Sequence, residues 1–491
     1  MSNISRRSFL QKGTAAAAAF TIAPSAILGK SHGYVAPSDK LNIAAVGIGG
    51  MGNANLKNME KTENIVALCD IDWKYAGKVF KRHPDAAKYW DYRKMFDEKA
   101  KDIDAVLCAT ADHSHALVTS IGMSLGKHVY TQKPLTHSVY ESRLLTKLAE
   151  TTGVATQMGN QGASGEGVNL VMEWIANGEI GEVTRVDCAT DRPIWPQGLN
   201  TPEKVDRIPR TLNWDLFTGP ARMRPFNNIY HPWNWRGWWA YGTGALGDMA
   251  CHIMHPVFKG LHLGYPTKVE ASSTMLLNES CPSAQHVKYI FPARDNLAKV
   301  AMPEVEVHWY DGGMMPARPA GFPQGKRLMQ VGGGLCIFHG TKDTLICGCY
   351  GREPWLVSGR VPNAPKTERR VTTTHEQDWI RACKESKANR VEGKSLFAES
   401  GPFNEIVVMG VLAVRLQGLN KVLEWDGPNM KFTNIGSEET VKTIIKDGFK
   451  ITDGDPSFDK TWTPEVNAQE YANELIKHNY REGWNLMEMP R

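Results

Sequence analysis

The sequence predicts an α/β protein with two unlike sheets. Between residue 39 and about residue 158, short apolar runs alternate with helical patterns, which is typical of a doubly wound parallel sheet. After residue 159 the chain changes to strand-rich segments with long loops and many prolines. We therefore expect a C-terminal α+β domain with a large mixed, mostly antiparallel sheet.

The first predicted strand ends in a glycine-rich segment, GIGGMG at residues 47–52. Three glycines in G-x-G-x-x-G spacing, between a strand and a helix, are typical of a Rossmann dinucleotide-binding unit. The first glycine allows a tight turn, the second lets the backbone approach the pyrophosphate, and the third allows close helix packing. The helix N-terminus then presents free N–H groups to the phosphates. The alternative is a glycine turn without a ligand.

An acidic residue closes the second predicted strand. Asp70 ends the apolar run IVALCD and follows Gly52 by 18 residues. A carboxylate at this place accepts hydrogen bonds from the adenosine ribose, and it would repel a 2′-phosphate. No arginine follows directly. We therefore predict NAD as the cofactor, favoured over NADP.

Length and charge set loose bounds on function. The chain has 491 residues, enough for two domains or more. Its 57 Lys and Arg against 52 Asp and Glu give a net charge of +5 without a basic block, so no nucleic-acid partner is predicted. Nine cysteines without a C-x-x-C pair predict scattered buried thiols.

The first 30 residues are predicted to be a targeting segment outside the fold. Arg6 and Arg7 form a twin-arginine motif, and the weakly apolar stretch behind them is too short and too mild to span a membrane. We expect export to the periplasm by the twin-arginine route, with the dinucleotide tightly bound and no membrane insertion. The alternative is a disordered basic N-terminus.

The element pattern divides the chain into segments. The predicted segments are the signal at 1–30, the dinucleotide-binding domain at 39–158, the substrate and oligomerisation domain at 159–420, and a C-terminal tail packing on the body at 421–491. Strands are predicted at 43–47, 65–70, 105–109, 128–131 and 155–158, and in the second sheet at 183–187, 267–276, 304–309, 335–339 and 344–347. Helices are predicted at 138–151, 166–177, 376–385, 404–419, 438–446 and 468–478.

Three further motifs carry chemistry. They are TADHSH at 110–115 and QKP at 132–134, each after a predicted strand, and GTGALGDMACH at 242–252. With the glycine loop, these motifs resemble those of the Gfo/Idh/MocA oxidoreductase family over residues 40–419. The chain departs from the family pattern at Ala111, Gln132 and Ala250, where the family has proline, glutamate and glycine.

The resemblance implies an NAD(P)-dependent dehydrogenase whose lysine, aspartate and histidine surround the substrate carbon that gives up hydride. By position these are Lys133, Asp248 and His252. Their chemistry suits the task, because a histidine with a reference pKa near 6.5 can accept a hydroxyl proton near neutral pH. The lysine can polarise the same oxygen, and the aspartate can orient the histidine.

Two alternatives remain for this motif. Asp248 and His252 lie four residues apart, so they could be a structural pair at a helix start. By residue type a zinc site is also conceivable, from His113, His115, Asp248, His252 and His255. The family pattern assigns these positions to cofactor and sugar instead, and no metal is predicted.

An aromatic run, YHPWNWRGWWAY at residues 230–241, leads directly into the third motif. Aromatic rings pack against the C–H faces of sugars, so we expect part of this run to form the substrate wall. Core packing or a protomer interface is the alternative. Asn160 and Gln161 follow the fifth predicted strand and could bind the nicotinamide carboxamide or a sugar hydroxyl. Arg192 and Trp195 are weaker substrate candidates.

Together these inferences give three sets of residues. The predicted catalytic residues are Lys133, Asp248 and His252. The predicted cofactor contacts are Gly47, Gly49, Gly50, Met51, Gly52, Asp70, Thr110, His113, His115, Lys133, Asn160 and Gln161. The predicted substrate contacts are Lys133, Arg192, Trp195, His231, Trp235, Arg236, Trp238, Asp248 and His252.

The function predicted from these observations is NAD-dependent hydride transfer at a ring secondary alcohol of a sugar or glycoside, with C3 favoured. The first alternative is a redox-neutral NAD-dependent glycosidase that works by oxidation and elimination. Export favours that alternative, because no obvious NAD(H) pool lies outside the cytoplasm. The second alternative is a non-catalytic sugar- or cofactor-sensing protein. The expected partner is a small-molecule carbohydrate, and a homo-oligomer is expected.

Overall fold

A computed structural model describes residues 39–295 and 297–490 of the chain. The predicted signal segment, residues 1–30, lies outside these described residues. Two large sheets organise the described part, one parallel and one mixed. Together they confirm the predicted fold class.

The N-terminal part contains a six-stranded parallel sheet in the order β3-β2-β1-β4-β5-β6, the strand order of a Rossmann fold. Its strands are β1 (Asn42–Val46), β2 (Asn64–Cys69), β3 (Ala87–Tyr89), β4 (Ala105–Cys108), β5 (His128–Thr131) and β6 (Thr156–Met158). The sequence did not predict β3. It is a short, partly exposed edge strand, so no apolar run marks it.

Five helices cover the two faces of this sheet. They are α1 (Met51–Met59), α2 (Gly77–Arg82), α3 (Tyr92–Lys99), α4 (His115–Ser124) and α5 (Val139–Thr152). Along β1, Ile43 and Ala45 join one buried cluster, whereas Ala44 and Val46 join another on the opposite face. Because both faces are buried, the central strands appear in the sequence as continuous apolar runs.

The second sheet has nine strands in the order β13-β12-β11-β7-β10-β9-β8-β14-β15, and only the β7–β10 pair is parallel. The strands are β7 (Val183–Thr190), β8 (Lys268–Ser273), β9 (Gln285–Phe291), β10 (Val305–Tyr310), β11 (Gly334–Gly340), β12 (Thr344–Cys347), β13 (Trp355–Leu356), β14 (Leu423–Asp426) and β15 (Lys431–Phe432). The sequence analysis missed β9, whose residues alternate between buried and partly exposed positions. Such alternation is typical of a half-buried strand. The sequence analysis also missed β13, β14 and β15, which are too short to show a pattern.

The remaining helices are α6 (Glu166–Ala176), α7 (Trp214–Thr218), α8 (Gly244–Ile253), α9 (His255–Gly260), α10 (His375–Cys383), α11 (Phe397–Arg415) and α12 (Ala468–Ile476). The predicted helix 404–419 begins earlier, at Phe397, because α11 continues through Pro402, which suggests a helix end in the sequence. By length and apolar composition α11 could cross a membrane, but 83% of its 18-residue apolar stretch is buried inside the protein. It is therefore a core helix, packed on α5 and on the second sheet.

The predicted helix 438–446 is wrong. This segment forms β16 (Thr440–Val441) and the start of β17 (Ile444–Thr452). β16 pairs with β19 (Val466–Asn467), and β17 forms a hairpin with β18 (Asp455–Trp462). The segment is rich in β-branched residues, which favour strands, and their preference outweighs the helical spacing.

A glycine at the start of α1 gives a direct test of the packing between α1 and β1. A Cβ at Gly52 would lie 2.0 Å from the Gly47 carbonyl oxygen, so Gly52→Ala must displace the helix. We expect the free energy of unfolding to fall by about 1–3 kcal/mol, which differential scanning calorimetry would detect as a lower Tm. The matched control is Gly77→Ala in α2, where a Cβ would meet nothing within 4 Å. An unchanged Tm for Gly52→Ala would contradict the close packing.

Candidate active site

The carboxyl ends of the central parallel strands face α8 of the second domain across a cavity of about 430 Å³. Ligands of open α/β sheets bind at this edge. The cavity brings together most of the residues that the sequence singled out. Those that line it are Gly47, Gly49, Gly50, Met51, Asp70, Thr110, His113, Lys133, Gln161, Arg192, Trp195, His231, Trp235, Arg236, Asp248 and His252. Gly52, His115, Asn160 and Trp238 are not among its lining residues.

The glycine loop forms one side of the cavity. Gly47 has a φ of +78°, and a Cβ there would lie 2.5 Å from the Ala109 carbonyl oxygen. Only glycine fits such a position without strain. The ring of Tyr75 rests against Gly49, where a Cβ would lie 2.0 Å from its Cδ1. No side chain caps the N-terminus of α1, so this end of the helix is suited to an anion.

Asp70 supports the glycine loop from β2. Its Oδ2 accepts hydrogen bonds from the backbone N–H of Ile48 at 2.8 Å and of Gly49 at 3.1 Å, and its Oδ1 accepts one from Asp72 at 2.9 Å. Burial raises the pKa of Asp70 to about 6, against the opposing effect of these hydrogen bonds. Asp70 therefore shapes the loop, and the ribose contact stays a prediction.

Two cations meet one carboxylate at the other side of the cavity. Lys133 Nζ lies 2.5 Å from Asp248 Oδ1, and Arg236 Nε lies 2.7 Å from the same oxygen, without hydrogen-bond geometry. Burial alone would raise the pKa of Asp248, but Arg236 and Lys133 outweigh it and lower the pKa far below its usual range. Asp248 is therefore a permanent anion that orients both cations.

His252 lies one helical turn beyond Asp248 on α8 and is buried. Burial lowers the pKa of His252 well below its ordinary value, and the charge of Lys133 lowers it further. Within the part of the chain that the structure describes, its Nδ1 has no hydrogen-bond partner. The imidazole is therefore neutral at pH 7.

Tyr350 is a cavity residue that the sequence analysis missed. Its ring lies edge-on to His252 with the centroids 4.7 Å apart, and its Oη accepts a hydrogen bond from Gln161 Nε2 at 3.3 Å. The residue has a φ of +66°, and such strained backbone in non-glycine residues is concentrated at functional sites. No motif surrounds Tyr350, and only that backbone geometry distinguishes it.

The aromatic run encloses Arg236. Its guanidinium lies 4.4 Å from the ring centroid of Trp235, 4.7 Å from that of Trp233 and 5.5 Å from that of Trp195. Such cation–π contacts hold a buried arginine in place. His231 also lines the cavity, and its Nε2 lies 3.1 Å from Asp72 Oδ2. This part of the run therefore belongs to the site.

Trp238 requires a correction, because the structure places it in the core rather than in the substrate wall. It is 0% exposed and packs on Tyr230 with the ring centroids 4.8 Å apart. Its buried cluster also contains Trp214 and Phe217. Position in the aromatic run did not distinguish a lining ring from a packed one.

The polar loop at 110–115 faces the cavity only in part. His115 was predicted to contact the cofactor, but it does not line the cavity. Its ring nitrogens lie 2.8 Å from the Pro134 carbonyl and 3.1 Å from the Thr110 carbonyl. It therefore connects the loops that carry Thr110 and Lys133. His113 lines the cavity, but its ring nitrogens face the carbonyls of Phe217 and Tyr241.

Asp112 and Asn160 are buried polar groups beside these loops. Asp112 Oδ2 accepts hydrogen bonds from the N–H and the hydroxyl of Thr243, which joins the 110–115 loop to the start of α8. Among the described residues, Asn160 Oδ1 and Nδ2 have no hydrogen-bond partner. Asn160 is not among the residues that line the cavity, and its contact with the cofactor stays a prediction.

The zinc alternative fails on geometry. His255 pairs with Glu399 at 3.3 Å, whereas His113 and His115 face backbone carbonyls. Residues 39–295 and 297–490 contain no group of three or more His, Cys, Asp or Glu placed to hold a metal ion.

Gln132 stands where the family has a glutamate. Its Nε2 donates to Asn55 Oδ1 at 2.9 Å, and Asn55 Nδ2 donates to Glu376 Oε1 at 2.7 Å. A buried chain of hydrogen bonds thus leads from the Lys133 loop through α1 to a carboxylate on α10. The amide orients its neighbours but supplies no negative charge of its own.

The fold and the site define a protein with a Rossmann dinucleotide-binding domain and a separate α/β domain. Residues 41–160 match the family model described as oxidoreductase family, NAD-binding Rossmann fold, and residues 174–297 match that family's C-terminal alpha/beta domain. The chain therefore belongs to the Gfo/Idh/MocA oxidoreductase family, as the motifs predicted.

Similar proteins give more detail. A Shewanella sp. (strain ANA-3) protein named glycosyl hydrolase family 109 protein 1 is 28% identical over 216 residues, which are 38% of this chain and 46% of that protein. An inositol 2-dehydrogenase from Serratia proteamaculans (strain 568) is 27% identical over 165 residues, 33% of this chain and 49% of that protein. The chain thus spans about half the length of the curated relatives it matches.

The fold is also similar to solved structures. The WlbA dehydrogenase from Bordetella pertussis, in complex with NADH and UDP-GlcNAcA, superposes with a TM-score of 0.53 at 14% identity. The match covers 79% of this chain and 99% of that chain. At this identity the likeness supports the fold alone.

The protonation state of His252 can be tested by removing its neighbouring cation. We expect Lys133→Met to raise the pKa of His252, since a nearby positive charge disfavours the imidazolium form. In proton NMR the Hε1 signal of His252 can be assigned by its loss in a His252→Asn variant. In the unsubstituted protein the chemical shift of this signal should not change between about pH 6 and pH 8. Lys81→Met, on the exposed side of α2, is the control. Titration of His252 near its free value would contradict the predicted direction.

Proposed function

We propose that the protein is an NAD-dependent oxidoreductase that moves hydride at a ring secondary alcohol of a sugar or glycoside, with C3 favoured. One observation carries the proposal. Lys133, Asp248 and His252 converge on the same cavity as the glycine loop. A dinucleotide on the loop would therefore bring its reactive end toward a cation and a neutral base.

The residues around the loop suit NAD. The uncapped start of α1 can receive the pyrophosphate, and Asp70 stands beside it at the end of β2. A second carboxylate, Asp72, lies on the same connection, and negative charge there opposes a 2′-phosphate. NAD is therefore the proposed cofactor, and we propose that it is held tightly.

Each residue of the site has a distinct role in this chemistry. Bound NAD⁺ supplies a hydride acceptor for the carbinol carbon and, in a redox-neutral cycle, the donor that returns the hydride. The Lys133 ammonium binds the reacting oxygen and stabilises negative charge on it. The neutral His252 imidazole accepts the hydroxyl proton. Asp248 keeps Lys133 and Arg236 in place, and Trp195 and Trp235 support Arg236 from the cavity wall.

A redox-neutral glycosidase is the second candidate, and the relatives named glycosyl hydrolase family 109 favour it. A ketone at C3 acidifies the C2 proton, a base removes that proton, and the C1–O bond breaks with protonation of the leaving oxygen. Water would then add its hydroxyl at C1 and a proton at C2, so that reduction of the C3 ketone gives the free sugar. His252 can act as the base. Burial raises the pKa of Tyr350 to about 12, so its phenol stays protonated beside His252 and can donate. The predicted export also favours a cycle that regenerates the cofactor.

The cofactor proposal predicts that NAD(H) accompanies the purified protein. Denaturation should release nicotinamide dinucleotide into the supernatant, where an enzymatic cycling assay detects it. Asp70→Ala should lower the ratio of the NADP⁺ Kd to the NAD⁺ Kd, because it removes the charge that opposes a 2′-phosphate. Asp97→Ala, exposed on α3, is the control. No bound dinucleotide and no binding of added NAD⁺ or NADP⁺ would refute the cofactor.

The reaction proposal predicts the products of a glycoside panel. Mass spectrometry should find a ketosugar with accumulated NADH for net oxidation, or a free aglycone and sugar for the redox-neutral cycle. His252→Asn should lower turnover by ~10²-fold or more, since it removes the general base. His262→Asn is the matched control, because that exposed histidine has a φ of +48°, which asparagine tolerates. Saturable sugar binding without any turnover would support the non-catalytic alternative.

A further inference from the structure

The cavity continues past the glycine loop to a second, aromatic end. Trp90 and Tyr92, which come after β3, line the cavity together with Asp70 and Ile71, which come after the neighbouring strand β2. In a Rossmann unit the carboxylate at the end of this strand marks the adenosine ribose. The end opposite Lys133 and His252 is therefore the place for the adenosine half of a dinucleotide.

The last described part of the predicted C-terminal tail, residues 477–490 and called the tail below, supplies one further wall there. Trp484 of this tail lines the same cavity and is 6% exposed. The tail lies outside the two segments, 41–160 and 174–297, that match the family models. The indole therefore comes from outside both matched domains.

Several contacts hold the tail in position. Tyr480 Oη donates a hydrogen bond to Glu141, and Arg481 pairs with Asp215 at 2.6 Å and donates from Nε to the Gly219 carbonyl at 3.0 Å. These last contacts anchor the tail on α7, which carries Phe217 and Leu216 of the cavity lining. The tail therefore positions both its own ring and the neighbouring wall.

The indole itself is fixed from the side of α3. The Arg93 guanidinium lies 4.3 Å from the Trp484 ring centroid, and Tyr92 lies 6.3 Å from it. Arg93 is in turn paired with Asp91 at 2.7 Å. A large aromatic ring held in this way loses little conformational freedom when a planar ligand contacts it.

We propose that Trp484 is a binding residue for the adenosine half of the dinucleotide, so that the C-terminal tail closes this end of the cofactor site. The inference rests on the proposed NAD function. Purine bases stack on tryptophan, and such contacts add to the area that binding buries. The closed end also accounts for a cofactor that is held tightly.

The test compares ligands that contain or lack adenosine. Full-length protein is freed of nucleotide with charcoal and titrated by calorimetry with NAD⁺, ADP-ribose and nicotinamide mononucleotide. Trp484→Ala should weaken NAD⁺ and ADP-ribose by ~10-fold each and leave nicotinamide mononucleotide unchanged. Trp484→Phe keeps an aromatic ring and should lose less than threefold, and it replaces the alanine variant if that variant does not fold. Trp462→Ala, on a ring 46% exposed in β18, should bind all three ligands normally.

Three outcomes would decide against the inference. Unchanged NAD⁺ and ADP-ribose affinity in both Trp484 variants would overturn it while leaving the proposed function intact. Equal losses for all three ligands, with a lower Tm, would assign the tail a purely structural role. If the original protein bound neither NAD⁺ nor ADP-ribose, the proposed function itself would fail, and the inference with it.

Discussion

The buried ion pair between Lys133 and Asp248 is the interaction on which the site depends. Lys133 follows β5 of the parallel sheet, whereas Asp248 lies on α8 of the second domain. Neither charge is stable alone in such a place, and removing one partner of a buried pair typically costs about 3–5 kcal/mol. The pair therefore connects the relative position of the two domains to the geometry of the cavity.

The charge balance around this pair explains the chemistry of the cavity. Asp248 faces Lys133 and Arg236, so one anion meets two cations. Burial and the excess positive charge keep His252 neutral. In the proposed reaction the same excess would stabilise negative charge on a substrate oxygen. One electrostatic arrangement would thus serve both the proposed base and the oxyanion.

Polar contacts behind the cavity hold this arrangement in place. His115 connects the Thr110 and Pro134 carbonyls, and Asp112 connects its loop to Thr243 at the start of α8. Both are buried, and hydrogen bonds to buried groups are costly to lose. Neither residue is among those that line the cavity, so both support the loops rather than the cavity wall.

The sequence by itself determined those features of the fold and the site that depend on the spacing of nearby residues. The apolar runs, the glycine spacing and the motifs predicted the parallel sheet, the family and the meeting of Lys133 and Asp248 in one cavity, because period and spacing are properties of neighbouring residues. The edge strand β3, the strands at 440–445 and the early start of α11 were missed, since exposure, β-branching and a tolerated proline obscure periodicity. Only the tertiary structure buried Trp238 and brought Tyr350 and Trp484 to the cavity. Their positions depend on contacts between segments far apart in the chain, which no local pattern records.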